Sequence, residues 1–438
     1  MSTDPREVIL RSPMTRFQIW AVAITIGLNA LDGFDVLSIS FASPGIAKEW
    51  GIDRAALGVV LSMELFGMAA GSIFLGGVAD KIGRRPTILG CLVVMALGMF
   101  LCTIAGDVYQ LSAYRLMTGL GIGGMLAAIN AIAAEYSSEK RRDLAVSLMA
   151  IGYPLGAVIG GSIAAVLLRH FEWRAVFTFG ALISAAFIPL VLWRVPESVA
   201  FLVQRRPANA LGRINAILAR MGHPPVSALP DPVEAESKAS LSDIFKPGLI
   251  GVTAAVTTAY LLHITTFYFI LKWIPKIVTD MGFEPSSAAS VLVWANVGGA
   301  TGGAIFGFLT QRYGLKGMTV AVLAISTVMV AGFGQVPADL KILSLVVAAS
   351  GLFTNAGVVG LYAIVARAFP THVRATGTGF VVGLGRGGSA LAPVIAGYLF
   401  QSGLTLPTVA AIMSVGSVIG ACALATLKLR PRPAAVSR

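Results

Sequence analysis

The chain has 438 residues, of which 56% are hydrophobic and only 12% are charged, and its mean hydropathy is +0.81. Because an ordinary soluble domain carries about 25% charged residues, this composition excludes a soluble globular protein. The net charge of +12 is not accompanied by an aromatic-basic module, so we expect no nucleic-acid partner. All three cysteines lie in apolar runs and predict no disulfide.

Apolar runs between charged or Pro/Gly breaks predict twelve membrane-spanning helices. The polar amino terminus leads directly into the first run, which indicates a short tail rather than a cleaved signal. One long polar stretch, 195–247, divides the runs six and six. We therefore predict an all-α membrane protein with two pseudo-symmetric six-helix halves, 1–194 and 248–438, joined by a cytoplasmic linker, 195–247. The predicted spans are 17–41, 54–79, 86–106, 108–134, 143–168, 174–194, 248–272, 286–310, 317–336, 339–366, 374–400 and 403–427.

The orientation follows from the loop cations. With both termini in the cytoplasm, 24 of the 33 Lys and Arg residues fall in cytoplasmic segments, as the positive-inside rule requires. The net positive charge is thus explained by membrane topology. We expect a monomeric, multi-pass protein of the cell membrane, which is the inner membrane in a Gram-negative cell, with the lipid bilayer as its surroundings.

The first span contains two aspartates, Asp32 and Asp35, in the segment LDGFD. A carboxylate at the bilayer centre is costly unless it faces a wet cavity or a partner, so the pair predicts a proton site. A rise of about 1.5 Å per residue puts Asp35 and Arg115 at similar depths, where they could pair. We then expect Asp32 to carry the proton, with the reverse assignment open. Glu64 in the second span is a third acid that we expect to be buried. It either takes part in proton coupling or forms a structural hydrogen bond with a neighbour.

The sequence contains an internal repeat. The segment GGVADKIGRR at 76–85 matches GFLTQRYGLK at 307–316, at an offset of 231. Duplicated halves are typical of alternating-access carriers, whose substrate site lies between the halves. The same offset places His263 opposite Asp32 and predicts a carboxylate and an imidazole at equivalent depths.

The seventh span, YLLHITTFYFILKWIPK, carries two candidates for binding an anion, His263 and Lys272. The alternatives are a polar contact between helices for His263 and a lysine that snorkels to the interface for Lys272. For Arg386 the alternative to substrate binding is a role in helix packing. The other candidates for the substrate site are residues near the midplane that offer an aromatic ring or an amide: Phe267, Tyr153, Trp294, Asn296 and Asn355.

Several segments resemble motifs of the major facilitator superfamily. GGVADKIGRR resembles its loop signature G-x-x-x-D-[RK]-x-G-[RK]-[RK], LSAYRLMTGLGIGG its fourth-helix arginine motif, and GYPLGAVIGG its fifth-helix glycine-proline motif. The resemblance implies that Asp80, Arg84 and Arg85 lock the cytoplasmic face. Glu135, followed by Arg141 and Arg142, looks like the acidic helix end that pairs with the loop arginines, the alternative being an ordinary helix end.

Within the superfamily, LDGFD resembles the aromatic acid:proton symporter family, whose first helix carries Asp-Gly-x-Asp. The resemblance implies a proton-coupled symporter that imports a small aromatic carboxylate of the benzoate type. The alternatives are a carrier for a non-aromatic organic acid or a sugar-like solute, and a membrane receptor for aromatic acids. No HExxH, GxSxG or nucleotide-loop motif occurs, and the four histidines lack metal-ligand spacing. We therefore expect no enzyme activity, no metal and no cofactor.

Overall fold

The structure, a computed structural model, describes residues 4–230, 240–370 and 373–427. Within these ranges the chain folds into helices, without a strand. Twelve of the described helices are long and apolar enough to cross a membrane, as the hydropathy pattern predicts.

Ten α-helices precede the stretch 231–239. This stretch is the acidic part of the predicted linker, and it lies outside the described residues. Two of them, α9 and α10, lie in that linker. The ten are α1 (Pro5–Arg11), α2 (Arg16–Trp50), α3 (Arg54–Phe74), α4 (Ala79–Ile82), α5 (Arg84–Thr103), α6 (Val108–Glu135), α7 (Arg142–His170), α8 (Arg174–Arg194), α9 (Val199–Arg205) and α10 (Ala210–Arg220).

Six long helices follow. They are α11 (Ile250–Asp280), α12 (Pro285–Tyr313), α13 (Leu315–Phe333), α14 (Leu340–Ala368), α15 (Arg374–Gln401) and α16 (Leu406–Thr426).

The chain divides into two compact units. Unit 1 consists of Met1–Glu236 and Pro275–Val293, and unit 2 consists of Ser237–Ile274 and Trp294–Arg438. Helix α11 therefore contributes to both units and changes unit at a proline, Pro275.

Three helix ends differ clearly from the predicted ones, and one of them is that of α11, which continues to Asp280 beyond the predicted end at residue 272. Helix α2 continues to Trp50, beyond the predicted end at residue 41. Ser38 and Ser43 donate their hydroxyl groups to carbonyls of the same helix, those of Asp35 at 2.7 Å and Ser40 at 2.8 Å, so this polar stretch does not end it. Helix α3 stops at Phe74, before the predicted 79, because the chain turns at Gly76 and Gly77.

Glycines set the closest helix contacts within unit 1. A Cβ on Gly119 of α6 would stand 2.0 Å from the carbonyl oxygen of Glu64, and one on Gly67 of α3 would stand 2.1 Å from that of Leu116. Only glycine permits backbones to approach this closely, which is the packing that small residues give to membrane helices. Helices α3 and α6 therefore meet along glycines of the fourth span, Gly119 and Gly123 among them.

Unit 2 uses the same device. A Cβ on Gly298 of α12 would stand 1.9 Å from the carbonyl oxygen of Ala348, and one on Gly351 of α14 would stand 2.0 Å from that of Ala295. The Asn355 side chain donates to the carbonyl of Gly299 at 2.7 Å and joins the same two helices. Helix α13 packs against α14 and α16 beside this contact.

Candidate functional site

The glycine of the LDGFD segment is required by helix packing. A Cβ on Gly33 would lie 2.0 Å from the carbonyl oxygen of Tyr153, so α2 and α7 touch backbone to backbone at this point. The aspartates on either side are buried, with exposed fractions of 2% for Asp32 and 0% for Asp35. The segment therefore places two carboxylates inside unit 1 at a close backbone contact between α2 and α7.

The Asp35 carboxylate faces α8. Its Oδ1 atom is 3.3 Å from the position that a Cβ on Gly180 would take. Neither oxygen of this carboxylate accepts a hydrogen bond from any residue that the structure describes. Asp32 is close enough to Cys91 of α5 for its charge to act on that thiol.

Arg115 is fully buried and forms an ion pair with Glu64, which is also fully buried. The guanidinium also donates to the backbone carbonyl of Asp35 at 2.8 Å and lies 5.4 Å from the ring centroid of Phe177. The expected ion pair between Arg115 and the Asp35 carboxylate is therefore wrong. The depth of Arg115 along the membrane normal agrees with that of Asp35, because its guanidinium reaches the Asp35 carbonyl. The close glycine contact between α3 and α6 places the same guanidinium next to the Glu64 carboxylate.

A second cluster of unit 1 forms around the loop between α4 and α5. The Arg84 guanidinium is 2.9 Å from a carboxylate oxygen of Asp80 and 3.8 Å from one of Glu135. The Glu135 carboxylate also accepts a hydrogen bond from the hydroxyl of Ser198. The structure thus brings together three of the six predicted gate residues.

The other three gate residues lie differently. Arg85 donates to the backbone carbonyl of Leu192, at the end of α8. Arg141 and Arg142 are exposed and make no ion pair with any described residue. The predicted contact of Glu135 is therefore with Arg84, and the charge of Arg142 acts on Glu135 only over a longer distance.

This cluster is organised by Glu197, a residue that no sequence motif singled out. Its Oε1 atom accepts backbone N–H groups of Arg84 at 2.8 Å, Arg85 at 3.4 Å and Ser198 at 2.8 Å. Helix α5 begins after Gly83, which has no side chain to cap it, so a distant carboxylate satisfies its first N–H groups. Glu197 lies in the segment VPES directly after the sixth span. An acidic residue at this position, next to a cytoplasmic helix end, was the feature of the sequence that could have indicated its role.

His263 of unit 2 is fully buried and satisfied. Its Nε2 is 2.8 Å from the carbonyl oxygen of Thr354, and its Nδ1 is 2.8 Å from the Ser417 hydroxyl. Because a carbonyl oxygen only accepts, Nε2 carries the proton, and Nδ1 of the neutral ring accepts from the serine. Both nitrogens are used in joining α11 to α14 and α16. This arrangement argues against the predicted role of His263 as donor to a substrate carboxylate and favours the helix-contact alternative.

The remaining candidates differ in how far they are buried. Lys272 is fully buried, so the snorkelling alternative is wrong for it, and Asn296 is also buried. Half of the Trp294 surface is exposed. Partly buried are Phe267, which packs edge-on against Tyr268 at 5.4 Å, and also Tyr153, Asn355 and Arg386.

Unit 2 holds a pair of tyrosines that the sequence analysis missed. The hydroxyl groups of Tyr260 on α11 and Tyr362 on α14 are 3.0 Å apart, and the charge of Arg386 acts on Tyr260. A Cβ on Gly385 would stand 2.0 Å from the Tyr260 ring, so this glycine lets the ring lie against α15. No local spacing links these residues, since the tyrosines are 102 positions apart.

The part of the chain that the structure describes holds no group of three His, Cys, Asp or Glu side chains arranged to bind a metal ion.

Comparison with known proteins decides the family. The sequence profile of the Major Facilitator Superfamily matches residues 25–338 and 256–438. The chain belongs to the major facilitator superfamily. It is therefore a multi-pass membrane transporter and not an enzyme, and the predicted superfamily and fold class are confirmed.

Curated members of the superfamily resemble this chain over nearly its whole length. The gallate transporter of Pseudomonas putida is 29% identical, over 98% of this chain and 97% of its own. The 4-hydroxybenzoate transporter PcaK of Pseudomonas aeruginosa is 26% identical, over 95% of each chain. The 3-(3-hydroxy-phenyl)propionate transporter of Escherichia coli is 28% identical, over 93% of this chain and 94% of its own. The suspected likeness to aromatic acid transporters is thereby confirmed.

The crystal structure of a D-xylose-proton symporter superposes with a TM-score of 0.69, at 17% sequence identity. The match covers 94% of this chain and 97% of the symporter. At this identity it supports the fold of this superfamily member and nothing about its substrate.

Proposed function

We propose that this transporter is a proton-coupled symporter that imports a small aromatic carboxylate, with both termini in the cytoplasm. The relatives are named for gallate, 4-hydroxybenzoate and 3-(3-hydroxy-phenyl)propionate, which share a benzene ring and a carboxylate. The observation that carries the proton coupling is the set of buried acids in unit 1: Glu64 pairs with Arg115, Arg115 donates to the backbone of Asp35, and Asp32 is buried on the same helix as Asp35.

The charges of this cluster support a proton site. Arg115 forms its ion pair with Glu64, so its charge is already matched by one carboxylate. An ionised carboxylate in a low-dielectric interior is costly without a cation or hydrogen-bond donors. The Asp35 carboxylate accepts no hydrogen bond from the described residues, so a bound proton removes a charge that the surrounding side chains do not solvate.

We therefore assign the proton to Asp35 and make Asp32 the second candidate, which reverses the order that depth alone suggested. In this mechanism the proton binds first and lowers the negative charge of unit 1. The substrate anion then meets less repulsion, so its entry depends on the proton. Release of either ligand on the cytoplasmic side favours release of the other, which is the coupling that symport requires.

Unit 2 supplies candidates for holding the substrate. Lys272 is a fully buried cation, and Arg386 is a second cation on α15. We propose that these residues attract the carboxylate, because a buried cation interacts strongly with an anion where water is excluded. Phe267 offers a partly exposed ring for stacking. The Tyr362 hydroxyl, which accepts from Tyr260, retains its own proton to donate to a ring substituent.

We further propose that the cluster of Asp80, Arg84 and Glu135 is a cytoplasmic lock of the transport cycle. Its ion pairs are partly exposed, and such pairs contribute little to stability, so they can break and re-form. Glu197 and Gly83 then hold the start of α5 in place while the pairs change.

Uptake by purified protein in liposomes tests the function. An inwardly directed proton gradient should drive accumulation of labelled 4-hydroxybenzoate, and addition of substrate should make the external medium more alkaline. Cyclohexanecarboxylate tests the need for an aromatic ring, and D-xylose tests a sugar-like substrate. Accumulation of xylose or of the saturated acid in place of the aromatic acid would support the alternative carriers. Binding without transport would support a receptor.

A further inference from the structure

Two arginines and three aromatic side chains form a continuous surface at one end of unit 1. The Arg194 guanidinium carbon lies 4.2 Å from the ring centroid of Trp193 and 5.8 Å from that of Trp20. The Arg220 guanidinium carbon lies 4.3 Å from the ring centroid of Phe17, and its Nη2 donates to the carbonyl of Trp193 at 3.3 Å. These five residues are the arginine–tryptophan patch. It joins the start of α2, the end of α8 and the end of α10.

The polar groups of the patch are available to a ligand. Neither Arg194 nor Arg220 forms an ion pair with a carboxylate of the described residues. Apart from its bond to the Trp193 carbonyl, Arg220 keeps its remaining N–H groups for other acceptors. Stacking on the aromatic faces orients both guanidinium groups without neutralising them.

The patch lies at the ends of two helices that are long and apolar enough to span a membrane. Trp20 follows the start of α2 at Arg16 by one helical turn, and Arg194 is the last residue of α8. Trp20 and Trp193 have exposed fractions of 54% and 67%, and tryptophan at the ends of spans is typical of the membrane interface. Beside them the apolar side chains of Ile19 and Leu192 are 47% and 50% exposed. The patch thus combines unpaired cations with apolar surface that suits acyl chains.

We propose that the arginine–tryptophan patch binds the phosphate of an anionic phospholipid in the leaflet around the start of α2 and the end of α8. The two guanidinium groups bind phosphate oxygens, since the planar fork of arginine fits a phosphate with two hydrogen bonds. The tryptophan rings lie beside the glycerol backbone, and Ile19 and Leu192 contact the chains. A free phosphate would use the arginines alone and leave the apolar part of the surface unused.

Bound lipid would also fix the linker. Helix α10 buries Ile214 and Leu218 on one side and presents Arg213 and Arg220 on the exposed side. A lipid shared by Arg194 and Arg220 connects α8 to α10, so it holds the first part of the linker at the membrane surface.

Native mass spectrometry of the full-length protein tests the site. The protein is released from nanodiscs of phosphatidylcholine with added phosphatidylglycerol, and the retained phosphatidylglycerol is titrated. We expect Arg220→Gln to weaken binding roughly fivefold, and Arg194→Gln combined with Arg220→Gln roughly thirtyfold. These factors correspond to about 1 kcal/mol of binding free energy for each arginine near an anionic membrane surface. Arg213→Gln is the matched control, since it removes the same charge from the exposed side of the same helix.

Three results would overturn the proposal. Equal losses in Arg213→Gln and Arg220→Gln would mean that only net charge attracts lipid. Unchanged phosphatidylglycerol binding in the double variant would mean that the lipid binds elsewhere. Displacement of the lipid by inorganic phosphate alone would mean that the site takes a soluble anion. If the glutamine variants fail to fold, the variant with Arg194→Lys and Arg220→Lys replaces them, because it keeps both charges. We expect this variant to lose less phosphatidylglycerol binding than the double glutamine variant would. Binding equal to that of the parent protein would contradict the site.

Discussion

Glu64 and Arg115 form a fully buried ion pair that joins α3 to α6 at their glycine contact. The pair matters for the neighbouring acids, because Glu64 and not Asp35 is the counterion of Arg115, and the Asp35 carboxylate accepts no hydrogen bond from the described residues. Arg115 reaches Asp35 only through the backbone carbonyl, at 2.8 Å. This hydrogen bond joins α2 to α6, and the Asp35 carboxylate remains available to bind a proton.

Replacing Glu64 by Gln should destabilise the protein strongly. The amide keeps the shape of the side chain but leaves Arg115 as a buried charge without its counterion, at a cost of about 3–5 kcal/mol in the free energy of unfolding. Thermal unfolding of the purified protein in detergent measures the loss. Glu64→Gln combined with Arg115→Gln removes both charges and should be less destabilised than Glu64→Gln alone. A single variant as stable as the parent protein would contradict a structural ion pair.

Replacing Asp35 by Asn should separate binding from coupling. The amide imitates the protonated acid, so exchange of labelled 4-hydroxybenzoate at equal pH should continue, while accumulation driven by a proton gradient should be lost. Asp32→Asn is the comparison, and we expect it to retain gradient-driven accumulation at a lower rate. If Asp32→Asn loses accumulation and Asp35→Asn keeps it, the proton belongs to Asp32.

Replacing Gly83 by Ala should disturb the start of α5. A Cβ at this position would lie 2.2 Å from the Oε2 atom of Glu197, and the backbone φ of +111° is strained for any residue other than glycine. Loss of the cap and backbone strain together should cost about 2–4 kcal/mol in the free energy of unfolding. Gly77→Ala, with open space around its Cβ, is the control and should be close to neutral. Equal stability of the two variants would remove the capping role of Glu197.

The number and approximate position of the membrane-spanning helices could be predicted from the sequence, because the apolar length that crosses a bilayer is a local property. The direction in which a side chain faces could not. Arg115 was assigned to Asp35 from depth alone, whereas the rotation of α6 is set by Gly119 against Glu64. Contacts between distant segments were missed for the same reason: Glu197 caps a helix that begins 113 positions earlier in the chain, at Arg84.

The repeat register gave a similarly limited result. It placed His263 opposite Asp32 in the sequence, and both residues are indeed buried. A register compares positions along two helices and contains no information on the hydrogen-bond partners of either residue. His263 found partners in Thr354 and Ser417, and these belong to the packing of unit 2.

Replacing His263 by Ala should therefore affect stability more than substrate binding. The variant loses two buried hydrogen bonds and leaves a cavity beside Gly357, so we expect a loss of about 2–4 kcal/mol in the free energy of unfolding. The dissociation constant for 4-hydroxybenzoate should change less than about threefold, a difference below 1 kcal/mol. Ser417→Ala, which removes one of the two partners, should lose less stability and bind equally well. Lys272→Gln, by contrast, should weaken binding of the carboxylate while leaving an uncharged aromatic amide unaffected. Weakened binding in a normally stable His263→Ala variant would restore the histidine to the substrate site.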